Sequence, residues 1–118
     1  MIVGVGVDAV ELSRFETKLS ETPRLAERLF TEAERDSNLK SLAGKFAAKE
    51  ALIKALAGVG GLEWQGMEII KEASGKPAFS LTGRTAELAA DAGVQNIHVS
   101  ITHDGQMAVA FVVAEGGA

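Results

Sequence analysis

An α+β fold, with a mostly antiparallel sheet around one long central helix, is what this sequence predicts, and three observations predict it. Residues 39–57 are dominated by alanine, leucine, lysine and glutamate and stop at Gly58, the composition and ending of a long helix. Residues 96–102 and 107–113 alternate apolar and polar and are joined through Asp104-Gly105, the signature of a hairpin. The order β-α-α-β-β-α-β-β contains no run of βαβ units, so its strands pair antiparallel.

Each element has its own warrant. Residues 2–7, Ile-Val-Gly-Val-Gly-Val, read as a strand whose glycines let another backbone approach, with Asp8 at its end. Leu12, Phe15 and Leu19 have helical spacing, which predicts a helix over 11–19. Pro23 restarts the chain, and 24–30 is a short helical piece. Thr31 and Glu34 stand as N-cap and capping-box partner of the next helix start. After a glycine loop at 58–61, residues 67–71 and 78–81 read as two strands around the turn Ser74-Gly75-Lys76-Pro77. Residues 82–92 form a helix stopped by Gly93, and the tail 115–118 frays.

A chain of 118 residues, 47% hydrophobic and 24% charged, fits a single domain with a real core. Its net charge of −4 argues against a general nucleic-acid binder, although a local basic patch remains compatible with it. With no cysteine there is neither a disulfide nor a thiolate metal site. No apolar run reaches membrane-spanning length, and MIVGVGVD lacks the basic region and cleavage site of a secretory signal, so a cytoplasmic protein is expected.

Gly4-Val5-Gly6-Val7-Asp8-Ala9 matches the G-x-G-x-x-A dinucleotide pattern. The strand before it is too short, Asp8 would repel a pyrophosphate, and no βαβ alternation follows. A nucleotide-cofactor binding module without catalysis stays as the alternative, beside the plainer reading of two packing glycines. Asp8 either caps the next helix or holds a hard cation, since Mg²⁺ takes one or two carboxylates plus waters and phosphates. Glu50 is the best second acid. Helix positions four apart lie about 40° apart, so Phe46, Glu50 and Lys54 share one stripe and Lys45 and Lys49 the neighbouring one. Alone, Glu50 and Lys54 read as a surface ion pair. With Asp8 they read as a metal carboxylate beside a phosphate-contacting lysine. A Ser100–His103–Asp104 relay is unfavourable because neighbours on one strand diverge, and two histidines have no zinc spacing. Arg14, Lys18, Arg24 and Arg28 form a basic series interleaved with Glu16, Glu21 and Glu27, which reads as an ordinary charged surface or, with Arg14 and Lys18 on one helix face, as a dock for an acidic protein partner.

These features resemble the holo-acyl-carrier-protein synthases, the short-chain 4′-phosphopantetheinyl transferases. The resemblance runs through Gly4-Val-Gly6-Val-Asp8, Phe30-Thr-Glu-Ala-Glu34, Gly44-Lys-Phe-Ala-Ala-Lys-Glu-Ala51 with Lys54, Gly75-Lys-Pro77 and Val99-Ser-Ile-Thr-His103. It implies the 4′-phosphopantetheinyl transferase-like fold as one domain over 1–118. It implies transfer of the phosphopantetheine arm of coenzyme A to a serine of an acyl carrier protein or a fatty acid synthase carrier domain. Adenosine 3′,5′-bisphosphate would be the other product. Asp8 and Glu50 match the Mg²⁺ ligands, and Lys54 joins them as a catalytic residue; Glu50 or a water it holds would take the serine proton. The coenzyme A pocket would involve Lys45, Phe46, Lys49, Lys54, Gly75, Lys76, Pro77, Ser100, Thr102 and His103. Arg14, Lys18 and Arg24 would dock the carrier. A homotrimer with sites at subunit interfaces is implied, the neighbour supplying a wall for so large a cofactor and the small helix alanines leaving room for both to approach. Lys45 departs from the pattern, where arginine is common, and loses the bidentate fork; Asp104 replaces an uncharged residue. The connector between Glu34 and Leu39 is also short, which bears on carrier choice.

Overall fold

The computed structural model describes residues 1–117. In chain order the elements are β1 (Ile2–Glu11), α1 (Leu12–Glu21), α2 (Leu25–Leu29), α3 (Glu32–Arg35), α4 (Leu39–Ala55), a 3₁₀ turn at Trp64–Gly66, β2 (Met67–Lys71), β3 (Pro77–Leu81), α5 (Gly83–Asp91), β4 (Val94–Asp104) and β5 (Met107–Gly116). The strands form an antiparallel sheet ordered β1-β5-β4 and a separate antiparallel pair, β2-β3. This is the α+β arrangement with one central helix that the sequence predicts.

Helix α4 lies against the three-stranded sheet because both surfaces are built from small residues. Ala108, Ala110 and Ala114 of β5 and Ala47, Ala48 and Ala51 of α4 are all fully buried. Gly4 and Gly6 take the approach furthest: a Cβ at Gly4 would lie 1.8 Å from the Ala55 carbonyl oxygen, and one at Gly6 1.9 Å from that of Ala51. Two sequence readings are corrected by this packing. The helix alanines do not make room for a cofactor or a neighbour, since the sheet fills that space. The dinucleotide reading also fails, because β1 is an antiparallel edge strand and the helix backbone occupies the space above its glycines.

Boundaries shift in ways that affect the site. β1 continues to Glu11, so Asp8 lies inside the strand, opposite Ala110, on the inward face with Gly4, Gly6 and Val10. Glu11, not Asp8, caps α1, its carboxylate accepting from the Arg14 backbone N–H at 3.2 Å. Glu115 and Gly116 do not fray: β5 runs to Gly116, whose N–H donates to the Met1 carbonyl at 2.7 Å. The frayed tail expected at Ala118 lies outside the described residues. The capping box forms as expected, Glu34 accepting from Thr31 N–H at 2.9 Å while the Thr31 hydroxyl accepts from Glu34 N–H.

The other face of the large sheet is apolar and open. Val3, Val5 and Val7 of β1 and Met107 and Phe111 of β5 are all exposed, Val5 by 56% and Phe111 by 48%. Among the described residues no helix is long and apolar enough to cross a membrane.

Candidate active site

Strand alternation aims Asp8 at α4, and the helical stripe aims Glu50 back at β1. Both carboxylates line one cavity of about 270 Å³, with Glu11, Arg14, Lys18 and Phe46. Burial pushes the Glu50 pKa above its usual 4.5, and the charge of Asp8 pushes it further; Lys54 and Lys18 oppose this. Lys54 does not pair with Glu50. It donates to Asp8 Oδ1 and to the Val7 carbonyl, each at 3.0 Å, and remains 55% exposed. Phe46 lines the cavity, stacked on Phe15 at 5.2 Å and tilted by 31° against Trp64 at 5.7 Å between ring centres.

A second cavity of about 480 Å³ lies toward β4 and the β2-β3 hairpin. It gathers four predicted pocket residues, Lys45, Gly75, Pro77 and His103. Gly44 lets His103 reach the helix, since a Cβ there would lie 3.0 Å from Nε2. A carbonyl only accepts, so His103 donates from Nε2 to the Lys40 carbonyl, at 2.8 Å. Lys45 donates to the Ser37 hydroxyl at 2.6 Å. Ser37, Ser41 and Lys71 also line this cavity and were missed by sequence reasoning. The loop serine and strand-end lysine carried no periodic signal.

The remaining predicted residues sit apart from these cavities. Lys76 and Ser100 share a shallower hollow with His98 and Phe111, which Pro77 separates from the larger cavity by lining both. Ser100 and Thr102 project from the open face of the sheet, opposite to His103 and to the acids. Arg24 is exposed ahead of α2 with a left-handed φ of 72° and does not line the acidic cavity. Lys49 is corrected: it is fully buried and cannot touch a cofactor. Its ammonium donates to Glu34 Oε1 and the Leu29 carbonyl at 2.7 Å and to the Trp64 carbonyl at 3.1 Å. Burial lowers its pKa, and the Glu34 carboxylate opposes that shift.

The donor set fits a hard cation. Two carboxylates repel across one cavity, and a cation between them removes the repulsion. Among the described residues no three His, Cys, Asp or Glu side chains converge as a closed metal cage. Two acids with open positions suit Mg²⁺, which keeps waters and binds phosphates, better than structural zinc.

The model of the 4′-phosphopantetheinyl transferase superfamily matches residues 4–112. The chain belongs to this superfamily, in its holo-acyl-carrier-protein synthase group. The holo-acyl-carrier-protein synthase of Clavibacter sepedonicus is 53% identical over 116 residues, 98% of each chain. The crystal structure of the Neisseria meningitidis synthase superposes with a TM-score of 0.90 at 31% identity, covering 98% of this chain and 99% of that one. The Helicobacter pylori synthase, in complex with coenzyme A, gives 0.83 at 30% identity, covering 94% and 99%. Membership in this synthase group makes the chain a transferase.

Proposed function

We propose that this chain transfers the 4′-phosphopantetheine arm of coenzyme A to a serine hydroxyl of an acyl carrier protein, using Asp8, Glu50 and Lys54. The observation that carries this reading is the convergence of Asp8 and Glu50 on one cavity rimmed by Arg14 and Lys18. The names of the relatives and the coenzyme A bound to the Helicobacter pylori synthase support it.

Asp8 and Glu50 would hold Mg²⁺, and when bound it would neutralise pyrophosphate charge. Glu50, directly or through a water, takes the serine proton. The serine oxygen then bonds to the phosphorus carrying the pantetheine, and the bond from that phosphorus to the bridging oxygen breaks. Adenosine 3′,5′-bisphosphate leaves with the electron pair. Lys54 is exposed and tethered only at its ammonium, so it can turn from Asp8 to a phosphate oxygen as charge builds there. Lys45 and His103 line the larger cavity, where the cofactor's anionic groups would find donors.

Ser100 and Thr102 lie on the opposite sheet face, so within one protomer they cannot meet the cofactor held at Asp8 and Glu50. A homotrimer with shared sites accommodates both sets, and the open apolar face of β1 and β5 supports such an assembly. Arg14 and Lys18, with Arg24 beyond, would steer an acidic carrier.

The test is the intact mass of apo carriers incubated with this protein, coenzyme A and Mg²⁺. A free-standing acyl carrier protein and an excised synthase carrier domain form the two arms. Gain of one phosphopantetheine group on either supports the reading; no gain on both refutes it.

A further inference from the structure

We infer that the buried Glu34–Lys49 pair is a positioning device, fixing the β2-β3 hairpin, one wall of the larger cavity, against α4, the other wall. The inference rests on the function proposed above, in which that cavity takes part of coenzyme A.

The hairpin's strands pair only with each other and do not join the large sheet, so beyond the packing of Met67 and Ile69 in the core and of β3 beside β4, side-chain hydrogen bonds fix its place. Two contacts fasten its first strand. Ile69 N–H donates to Glu34 Oε2, and the Thr31 hydroxyl donates to Glu68 Oε1, each at 2.7 Å. The other oxygen of Glu34 accepts from Lys49, whose remaining protons go to the Leu29 and Trp64 carbonyls. One carboxylate and one ammonium thus bind two stretches of chain, 29–34 and 64–69, to α4. Lys49 is 0% exposed and Glu34 1%, and all three ammonium protons are used. Lys49 has no proton left for a ligand and Glu34 is closed off by burial, so the contribution of the pair to the site is mechanical.

The transmission path is short. Ile69 and the next two residues, Ile70 and Lys71, line the cavity on the hairpin side. Lys45, one turn before Lys49 on α4, lines it from the helix side. The carboxylate joining Lys49 to Ile69 therefore sets the width between them. An apolar pair of equal volume fills the same space and is often no less stable. It has no directional bond to the Ile69 N–H, so it does not fix where the strand sits.

Three variants test this, with the wild type in parallel. Glu34→Leu/Lys49→Met removes both charges and the Ile69 acceptor. Glu34→Gln/Lys49→Met removes both charges and keeps an acceptor for Ile69 N–H. Thr31→Val cuts the second strap, together with the Thr31 cap on the Glu34 N–H, and leaves both charges in place, so it serves where the first variant fails to fold. Adenosine 3′,5′-bisphosphate affinity is measured by calorimetry without Mg²⁺ or carrier, together with KM and kcat for coenzyme A and hydrogen exchange. The first variant is expected to weaken bisphosphate binding and raise KM about tenfold, the cost of one lost bond to a charged group, with kcat within about threefold. Its 69–81 amides exchange faster while those of β1 and β5 do not change. The glutamine variant recovers most of the affinity, and Thr31→Val loses about threefold. Equal losses in both double variants overturn the inference. So does unchanged affinity in Thr31→Val or in a hairpin that exchanges faster. A wild type that binds neither bisphosphate nor coenzyme A overturns the proposed function, and this inference with it.

Discussion

Gly6→Ala is expected to destabilise the protein strongly, and the structure gives the size. The added Cβ would sit 1.9 Å from the Ala51 carbonyl oxygen and 2.8 Å from the Ala55 nitrogen. Ordinary contact begins at 3.4 Å, so β1 and α4 must separate locally by about 1.5 Å. Overpacking against side chains that can turn away costs about 1–3 kcal/mol. Here the obstacle is the backbone of a helix packed on several sides, which cannot turn, so about 3 kcal/mol or more is expected. At about 4 °C per kcal/mol for a chain of this size, the melting midpoint falls by about 12 °C. Urea unfolding at one fixed protein concentration measures it, since assembly would make stability depend on concentration. Gly60→Ala is the control: an added Cβ there meets nothing within 4 Å, and a change within about 0.5 kcal/mol is expected. A Gly6→Ala protein as stable as that control would refute the close-approach account. The same displacement carries Asp8, two residues along the same face, away from Glu50, so activity falls with stability.

Asp8→Asn and Glu50→Gln are each expected to lower kcat/KM about 100-fold or more while far-UV circular dichroism is unchanged; full activity in both would remove the metal assignment. Because the folded pKa of Glu50 is raised, the stability of its protonated form is complete below the unfolded value, near 4.5, and is lost as pH rises through the folded one. Metal-free Glu50→Gln should therefore be more stable than the wild type at pH 7, and urea midpoints should converge below pH 4.5. Arg14→Glu/Lys18→Glu should raise KM for the carrier about tenfold, with a weaker salt dependence. Phe111→Asp places a charge on the open sheet face, 48% exposed in the single chain, so a smaller species in sedimentation and lost activity are expected.

Much of the site was legible because its signals are local. Glu50 and Lys54 lie one turn apart on a helix that the composition announces, and Asp8 follows a glycine-spaced apolar strand. Lys49 shows where such signals stop. It shares a stripe with Lys45, yet Lys45 bonds a serine at the cavity rim while Lys49 runs inward to Glu34. The two lysines differ only in what the folded chain brings near them. Glu34 was legible as a capping residue, and its second oxygen, bonded to Ile69 35 residues later, was not.

The sequence by itself pointed to the elements, the candidate acids and the basic series, because each rests on spacing within one helix, strand or turn, and to the family through motifs spread from Gly4 to His103. Tertiary structure decided the rest. It paired Lys54 with Asp8 rather than Glu50, filled the space above the glycines with helix backbone, and turned the helix alanines toward the sheet. It also put Ser100 and Thr102 on the far side of the sheet from the acids, although they are neighbours of His103 in the chain. Residues one position apart on a strand face opposite ways, and which way is inward is fixed only when the helix docks.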